Sequence, residues 1–600
     1  SKPYYRLIEE NSEGEDEIIG TPNEVAKSLV EVLEKWMGKG RKKWYTGHTI
    51  EKNTAEGRAL RMLISEKGAN IDLKKHNIPR KFKIVLEHLQ KVKGITNEMF
   101  ENCTQHITKE EWAKFWSSVK KGTAPGRSGI TADMMSLLPE ENLENFRALV
   151  NSCWDPRAGI FDSWKLRVIT PIPKIPGNYD INKLRPIVLL DVIQKGFWAI
   201  VISRITKVWE NNNILHPHQY GSRANKDATS ASLMATLLAE ESESTHKNFY
   251  AFACDCKRAY DSVETFVGKE MALRRLGVPE LIIKMITDMD LNNSAVVYTA
   301  FGMTDDILGE EGSFCYERGW TQGASESPSG WVSTYDILLT LLDTHTTNED
   351  LGCHLTTILD KRHATAITAI AYVDDALLLA GSRHGIEYRA NIASLYFEFV
   401  GIQFNPDKSE VIGMEWIDGK AVDLASQSWK PIIYDSNILF ANGYVTLQPQ
   451  LNGHIQPPSI TNMCNGKSQV KVTALNTGIK YLGNTWSPKP NLTAISDNIA
   501  AEIEQNASII NHFSLEPESI LYLATAVSKA KFMYRTTCLN LTETQAKQIE
   551  QKIKKTFMKS IKMSSANTHL LSTPHSLTSI GWQPWFNTLM IKRLEMLTKH

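Results

Sequence analysis

Two adjacent carboxylates lie between apolar runs in Ala371-Tyr-Val-Asp-Asp-Ala-Leu-Leu-Leu-Ala380. Neighbouring residues on a strand point to opposite faces, and at a hairpin tip they diverge. Asp374 and Asp375 therefore cannot enter one metal shell in the same way, and the pattern reads as strand, tight turn, strand with the acids at the turn. An ordinary surface hairpin would carry the same dipeptide, because Asp is a common turn former. A divalent-metal site needs another carboxylate from elsewhere in the chain. Phe252-Ala-Cys-Asp-Cys-Lys-Arg-Ala-Tyr-Asp-Ser-Val263 offers one. There Phe252, Cys254 and Cys256 alternate with Ala253, Asp255 and Lys257, which puts Asp255 at a strand end before a helix beginning near Ala259. Magnesium takes oxygen ligands in octahedral geometry and keeps water and substrate phosphates in its shell. Asp255 and Asp374 side by side can hold two such ions, which stabilise the attacking and leaving oxygens of an in-line displacement.

The elements that must carry these acids are legible in outline. Phe249–Ala253, Thr365–Val373 and Val296–Ala300 are strand candidates within a stretch, 121–410, that mixes helices with short strands. Upstream, the first twenty residues are acidic, and helical periodicity runs over 24–36. The basic and aromatic patch 38–45 follows; it suits a nucleic-acid backbone and equally a solvated helix end. A helix is expected over 80–92. Thr108-Lys-Glu-Glu is a capping box, and Trp112, Phe115, Trp116 and Val119 form one apolar helix face behind it. Residues 411–479 read as hairpins and loops. Helices are expected near 493–511, 518–534 and 543–562, the last with Lys547, Lys552, Lys554, Lys555, Lys559 and Lys562 beside Ile549, Ile553 and Ile561. That basic side can track a nucleic acid.

Composition sets wide bounds. Six hundred residues predict two to four domains. Lys+Arg and Asp+Glu balance at 67 each, which does not recommend nucleic acid as a partner but leaves room for a locally basic groove. The eight cysteines form no Cys-x-x-Cys pair or zinc-like cluster, so reduced thiols in an intracellular protein are the simple reading, with nucleus or cytoplasm undecided. No signal peptide or run of transmembrane length is visible. The chain opens at Ser1 and stops in a helical, basic stretch at His600, as a piece of a larger polypeptide would.

The order of segments resembles a reverse transcriptase, specifically that of non-LTR (LINE-like) retrotransposons, over about Trp112 to Gly483. Gly122-Thr-Ala-Pro-Gly-Arg-Ser-Gly-Ile130 is similar to the early fingers motif, with Arg127-Ser128 where Pro-Asp is usual. Segments 164–177 and 184–197 match the part that places basic residues over an incoming triphosphate, which implies Lys174 and Arg185, with Arg167 and Lys195 behind them. Gln219 and Gly221 match a Q-x-G-F segment whose usual Phe is Ser222 here. By the same resemblance Asp255 is a metal ligand with the Cys256 carbonyl beside it, and Tyr260 is a steric gate against a ribose 2′-hydroxyl. Asp261 is expected to be structural. Gln322 and Gly323 begin the motif under the nascent base pair, where Ser327 and Pro328 are expected to cap and open a helix. Tyr372 falls near the primer terminus, Asp374 is the second metal ligand, and Asp375 stands close to the metals or shapes the turn. Lys408 is a candidate general acid, and Tyr481, Leu482 and Gly483 form a primer grip displaced by an insertion near 411–479.

The resemblance implies an α+β, right-hand polymerase with an antiparallel palm sheet. Its expected divisions are a helical N-terminal extension over 1–110 with possible RNA contact, fingers over 111–248, palm with a fingers portion over 249–484, and a helical thumb over 485–600. The implied activity is RNA-directed addition of deoxynucleotides with two Mg²⁺ ions, or Mn²⁺ in their place. The implied partners are dNTPs and an RNA template with a DNA primer, or an RNA–DNA duplex; no membrane is involved and the oligomeric state is open. An RNA-binding scaffold descended from a polymerase and a right-hand polymerase using another template or rNTPs are the competing readings. Neither a zinc knuckle nor a nuclease segment is evident.

Overall fold

The computed structural model describes residues 7–10, 16–19, 21–37, 54–345 except 179 and 292, 352–356, 364–426 except 406, 433–435, 444–446, 454–455, 470–510, 516, 519, 522–560 except 540, and 588–593. The basic stretch 38–45, Ile561, Lys562 and His600 lie outside them. In chain order the long strands are β1 (Leu166–Pro173), β2 (Leu184–Leu189), β3 (Phe249–Cys254), β4 (Ser294–Thr299), β5 (Ala369–Tyr372), β6 (Asp375–Ala380) and β7 (Glu410–Ile417). The helices that matter most for the site are α1 (Pro22–Met37), α2 (Lys109–Ser118), α3 (Val192–Asn211), α4 (Ser327–Thr344), α5 (Arg383–Val400), α6 (Leu492–Ile510) and α7 (Glu543–Ser560).

A seven-stranded sheet runs β5-β6-β3-β7, then Val470–Val472 and His454–Ile455, with Lys420–Asp423 also paired to β7. Its pairs are antiparallel except that of β7 with Val470–Val472. Both faces are covered, which explains the unbroken apolar runs of the sequence. Ala376, Leu378 and Ala380 of β6 face the large core that includes α4 and α5 residues, while Leu377 and Leu379 face a second core with Leu238, Tyr481 and Trp486. A five-stranded sheet orders β2-β1-β4 with Gly302–Met303 and Ser313–Phe314. The apolar stripe of α1 (Val25, Leu29, Val30, Leu33, Trp36) joins Ile169, Val188 and Val297 of that sheet in a third core. The N-terminal segment is thus divided: α1 serves the five-stranded sheet, while Phe82, Val85 and Phe100 belong to the large core.

Local codes were followed where they were strong. Thr108 and Glu111 form both halves of the capping box of α2, and Trp112 and Trp116 are buried behind it. Several boundaries differ from expectation. Thr365–Val373 is two strands, Ala364–Ile367 and β5, separated at Thr368, whose carbonyl accepts from Leu379 N instead. The expected helix over 80–92 ends at Glu87, because the chain turns away so that Val92 N reaches Arg275 O. Glu326, not Ser327, occupies the cap position of α4; Pro328 lies in the first turn as expected. The hairpins and loops expected over 411–479 include a hairpin of β7 with Lys420–Asp423, and Val470–Val472 adds a parallel strand to β7; most of 427–469 lies outside the described residues. On α7, Lys552 pairs with Asp497 of α6 at 3.1 Å and Lys554 with Glu550 at 3.0 Å, so part of its basic side is neutralised within the protein.

Candidate active site

Strand register brings the acids together. Ala376 of β6 pairs with Cys254 of β3, the last pair of that antiparallel ladder, so the turn that carries Asp374 lies next to the strand end that leads into Asp255, and both line one cleft. The turn between β5 and β6 is two residues long, Val373-Asp374, because Tyr372 pairs with Asp375. Val373 takes the left-handed conformation, φ 58°, which a β-branched residue adopts only when its surroundings impose it. They do so from two sides. Gln219 Oε1 accepts from Val373 N at 3.2 Å and from Gly221 N at 2.9 Å, and Trp331 Nε1 donates to Val373 O at 2.7 Å. His218 O and Tyr220 N bond to Ala371, so the segment 218–220 runs along the edge of β5 as an extra bridge. Gly221 is obligatory there: a Cβ would lie 2.3 Å from Val373 N.

Asp255 is fixed by residues that the sequence reading did not single out. Asn405 Nδ2 donates to Asp255 Oδ2 at 2.6 Å, Asn405 N to Asp255 O at 2.9 Å, and Asp255 N to Ser409 Oγ at 3.0 Å. Gln403–Phe404 pairs with Cys256–Lys257 and carries Asn405 to this position. Asp255, Cys256 and Asp374 line the floor of one large cleft. Lys174, Arg185, Arg258 and Lys408 line it as well, so two expected phosphate ligands and the expected general acid share one cavity. Asp375 does not line it. Of the two cations expected behind them, Arg167 is buried in an ion pair with Asp290 at 3.1 Å and lies over the Tyr316 ring, a core role rather than a cleft role. Lys195 is outside the cleft lining too.

The electrostatics are frustrated in both signs. Asp374 on the cleft lining and its neighbour Asp375 outside it are both accessible yet walled by protein, so their charged forms lose hydration. Burial, then Asp374 and Asp255, push Asp375 up to about 6. Burial and Asp255 also raise Asp374, against its own backbone N–H. Opposite them, burial and the charges of Lys408 and Arg258 lower the Lys174 ammonium. A cleft carboxyl, Asp374, that resists ionisation opposite a cleft amine, Lys174, that resists protonation makes a site short of a cation on one wall and an anion on the other. Oxygen donors Asp255 and Asp374 fit a hard divalent cation.

The remaining candidates fall around this floor. Tyr260 lines the cleft and stacks on Trp331, ring centroids 4.8 Å apart. Gln322 Nε2 bonds both oxygens of buried Asp261, at 3.0 and 2.9 Å, which agrees with a structural Asp261. Gly323, at φ +105°, sits where a Cβ would be 2.6 Å from Val188 O, so cleft lining and the five-stranded sheet meet through its missing side chain. Leu482 and Gly483 form the turn of a hairpin, Ile479–Tyr481 with Asn484–Trp486, whose first strand ends at Tyr481; none of the three lines the cleft. Tyr481 is buried, and Asp375 is among the groups that push its phenol upward, after burial.

A family model described as "Reverse transcriptase (RNA-dependent DNA polymerase)" matches residues 172–485, just over half of the chain. This chain belongs to the reverse transcriptase family. Every acid and cation named on the cleft lies inside the matched reverse transcriptase segment. The chain is also similar to the "Retrovirus-related Pol polyprotein from type-1 retrotransposable element R2" of Nasonia vitripennis, 24% identical over 314 residues, 52% of this chain and 27% of that protein. It is 23% identical over 305 residues to the "Retrovirus-related Pol polyprotein from type-2 retrotransposable element R2DM" of Drosophila melanogaster, 50% of this chain and 26% of that one. The matched segment thus spans about a quarter of the length of these curated relatives. No described helix is long and apolar enough to cross a membrane.

Proposed function

We propose that this chain adds deoxynucleotides to a primer 3′ end, copying an RNA template. In this reading the seven-stranded sheet is the palm, the five-stranded sheet is fingers, and the helices after Trp486 are the thumb. The observation that carries it is the common cleft floor of Asp255 and Asp374, facing Lys174, Arg185 and Lys408 across the same cavity.

Asp255 and Asp374 would hold the divalent ions, which supply Lewis-acid stabilisation of the attacking and leaving oxygens when bound. Asn405 keeps the Asp255 carboxylate aimed at the cleft by its 2.6 Å bond. Lys174 and Arg185 bind the triphosphate and gather the charge that develops on the leaving pyrophosphate. In this reading Lys408, on the same cleft lining, is the general acid that hands it a proton. The Tyr260 ring, immobilised against Trp331, closes the space a 2′-hydroxyl needs. The hairpin turn at Leu482-Gly483 holds the primer backbone, and it is braced by the thumb: Tyr534 Oη donates to Leu482 O at 2.7 Å.

The test is extension of a DNA primer on an RNA template with Mg²⁺, dNTPs against NTPs. Wild type should incorporate dNTPs, Asp374→Asn should lose at least ~100-fold, and Tyr260→Ala should narrow the preference for dNTPs. Full activity in Asp374→Asn would overturn the assignment. RNA binding without incorporation would favour the scaffold reading.

A further inference from the structure

The cationic wall of the cleft contains a residue with no counterpart among the expected phosphate ligands. Arg258 follows the Asp255-Cys256 floor by two residues and lines the cleft with Lys174, Arg185 and Lys408. Its backbone is left-handed, φ 50° and ψ 50°, at the start of the single turn Ala259–Ser262. An arginine has no intrinsic reason to sit there, since that conformation is disfavoured for side chains with a Cβ. Such outliers collect where the surroundings fix a group for use.

The surroundings here include the N-terminal helix. The Arg258 guanidinium carbon lies 3.6 Å from the centre of the Trp36 ring. Trp36 is in the last turn of α1, is 3% exposed, and itself lines the cleft. It is held from behind: Met37 O accepts from Glu317 N, and α1 packs on the five-stranded sheet through Leu29 and Leu33. A guanidinium on an indole face is both attracted by the ring and confined to its plane. That confinement matters in this cleft. Lys174 feels the charges of Lys408, Arg258 and Arg185, so an unrestrained arginine would be driven outward by repulsion until an anion arrived. On Trp36 it stays among them, and ordering it costs the incoming ligand less. The ligand that matches a group of fixed cations beside two metal-binding acids is a nucleoside triphosphate.

We propose that Trp36 is a positioning residue that holds Arg258 on the triphosphate wall, so that α1, which lies outside the segment matched by the family, completes the nucleotide site. This rests on the polymerase reading. It predicts a defect in dNTP binding rather than in the chemical step when the stack is removed.

The experiment is steady-state extension of oligo(dT) on poly(rA) with dTTP and Mg²⁺, for wild type, Trp36→Leu, Trp36→Phe, Arg258→Met and the Leu/Met double variant. Arg258→Met keeps the aliphatic stem against the helix and removes the charge. Trp36→Leu and Arg258→Met should each raise KM for dTTP about 3- to 10-fold, the range of a partly desolvated cation–π contact, with kcat within about 2-fold. The double variant should be no worse than Arg258→Met, and Trp36→Phe should stay near wild type. Equal KM effects of Trp36→Leu with and without Arg258, a fall in kcat alone, or a wild-type KM in Arg258→Met would each overturn the proposal. A wild type that never extends the primer would instead sink the polymerase reading. Calorimetric titration of dTTP into the same variants then decides the role of Arg258, and equal affinity in all of them overturns it.

Discussion

At the scale of single residues, the site depends on groups that carry no charge. Asn405 touches Asp255 by side chain and backbone together, 2.6 and 2.9 Å. Removing a partner that aims a ligating carboxylate costs activity more than stability. Asn405→Ala should lower kcat about 10- to 100-fold, raise the Mg²⁺ needed for half-maximal rate, and leave the fold intact by circular dichroism. His218 makes a different prediction. Burial and neighbouring His216 lower its pKa from 6.5 to about 4, against Asp343, which raises it. The folded protein therefore refuses a proton that the unfolded chain accepts below 6.5. The stability contribution is full above 6.5 and is lost as pH falls from there toward 4. The thermal midpoint of wild type should drop across that window, and His218→Asn should drop less. Asp255 and Asp374 could be picked out of the sequence because strand alternation and turn chemistry are local rules. Asn405 could not, because its partner is 150 residues away in the chain. Arg167 was misplaced for the same reason: nothing in its neighbours announces buried Asp290.

At the scale of elements, the acidic turn is held from two sides. A two-residue hairpin with Val373 at φ 58° is gripped by Gln219 and Gly221 on one side and by Trp331 of α4 on the other. Gly221→Ala should be unable to keep the turn in place, because the added carbon meets the Val373 backbone N at 2.3 Å and its stiff, branched Cγ2 at 2.5 Å. Its expected result is loss of dNTP incorporation with only modest loss of thermal stability; normal incorporation would show that the turn does not need this contact. The elements themselves were partly visible beforehand. The α2 capping box and its tryptophan face were readable because cap and stripe are encoded within ten residues. The helix expected past Glu87 kept its apolar spacing, but a tertiary bond from Val92 N to Arg275 O won over that periodicity. The split at Thr368 was invisible because β-branched residues suit either strand equally.

At the scale of the whole molecule, α1 is separated in sequence from the sheet it completes but not in energy. Leu29 lies in the middle of its buried stripe against β1, β2 and β4. Leu29→Asp would bury a charge and open a cavity, a cost of about 3 kcal/mol or more. Hydrogen exchange should then accelerate in β1, β2 and β4 while the seven-stranded sheet, whose cores are separate, stays protected. Uniform acceleration would mean that the layers unfold as one. The balanced total charge gave no hint of a cleft whose lining gathers Lys174, Arg185, Lys257, Arg258 and Lys408 beside Asp255, Asp261 and Asp374; only the fold brings them together.

The grip on Val373 has a mechanical consequence. A turn bonded through its amide to Gln219 and through its carbonyl to Trp331 is an anvil rather than a jaw. When a substrate is enclosed, the travel has to come from the opposite wall. Lys174 and Arg185 stand on or beside the two strands of one hairpin, across the cleft from the acids that the gripped turn holds in place.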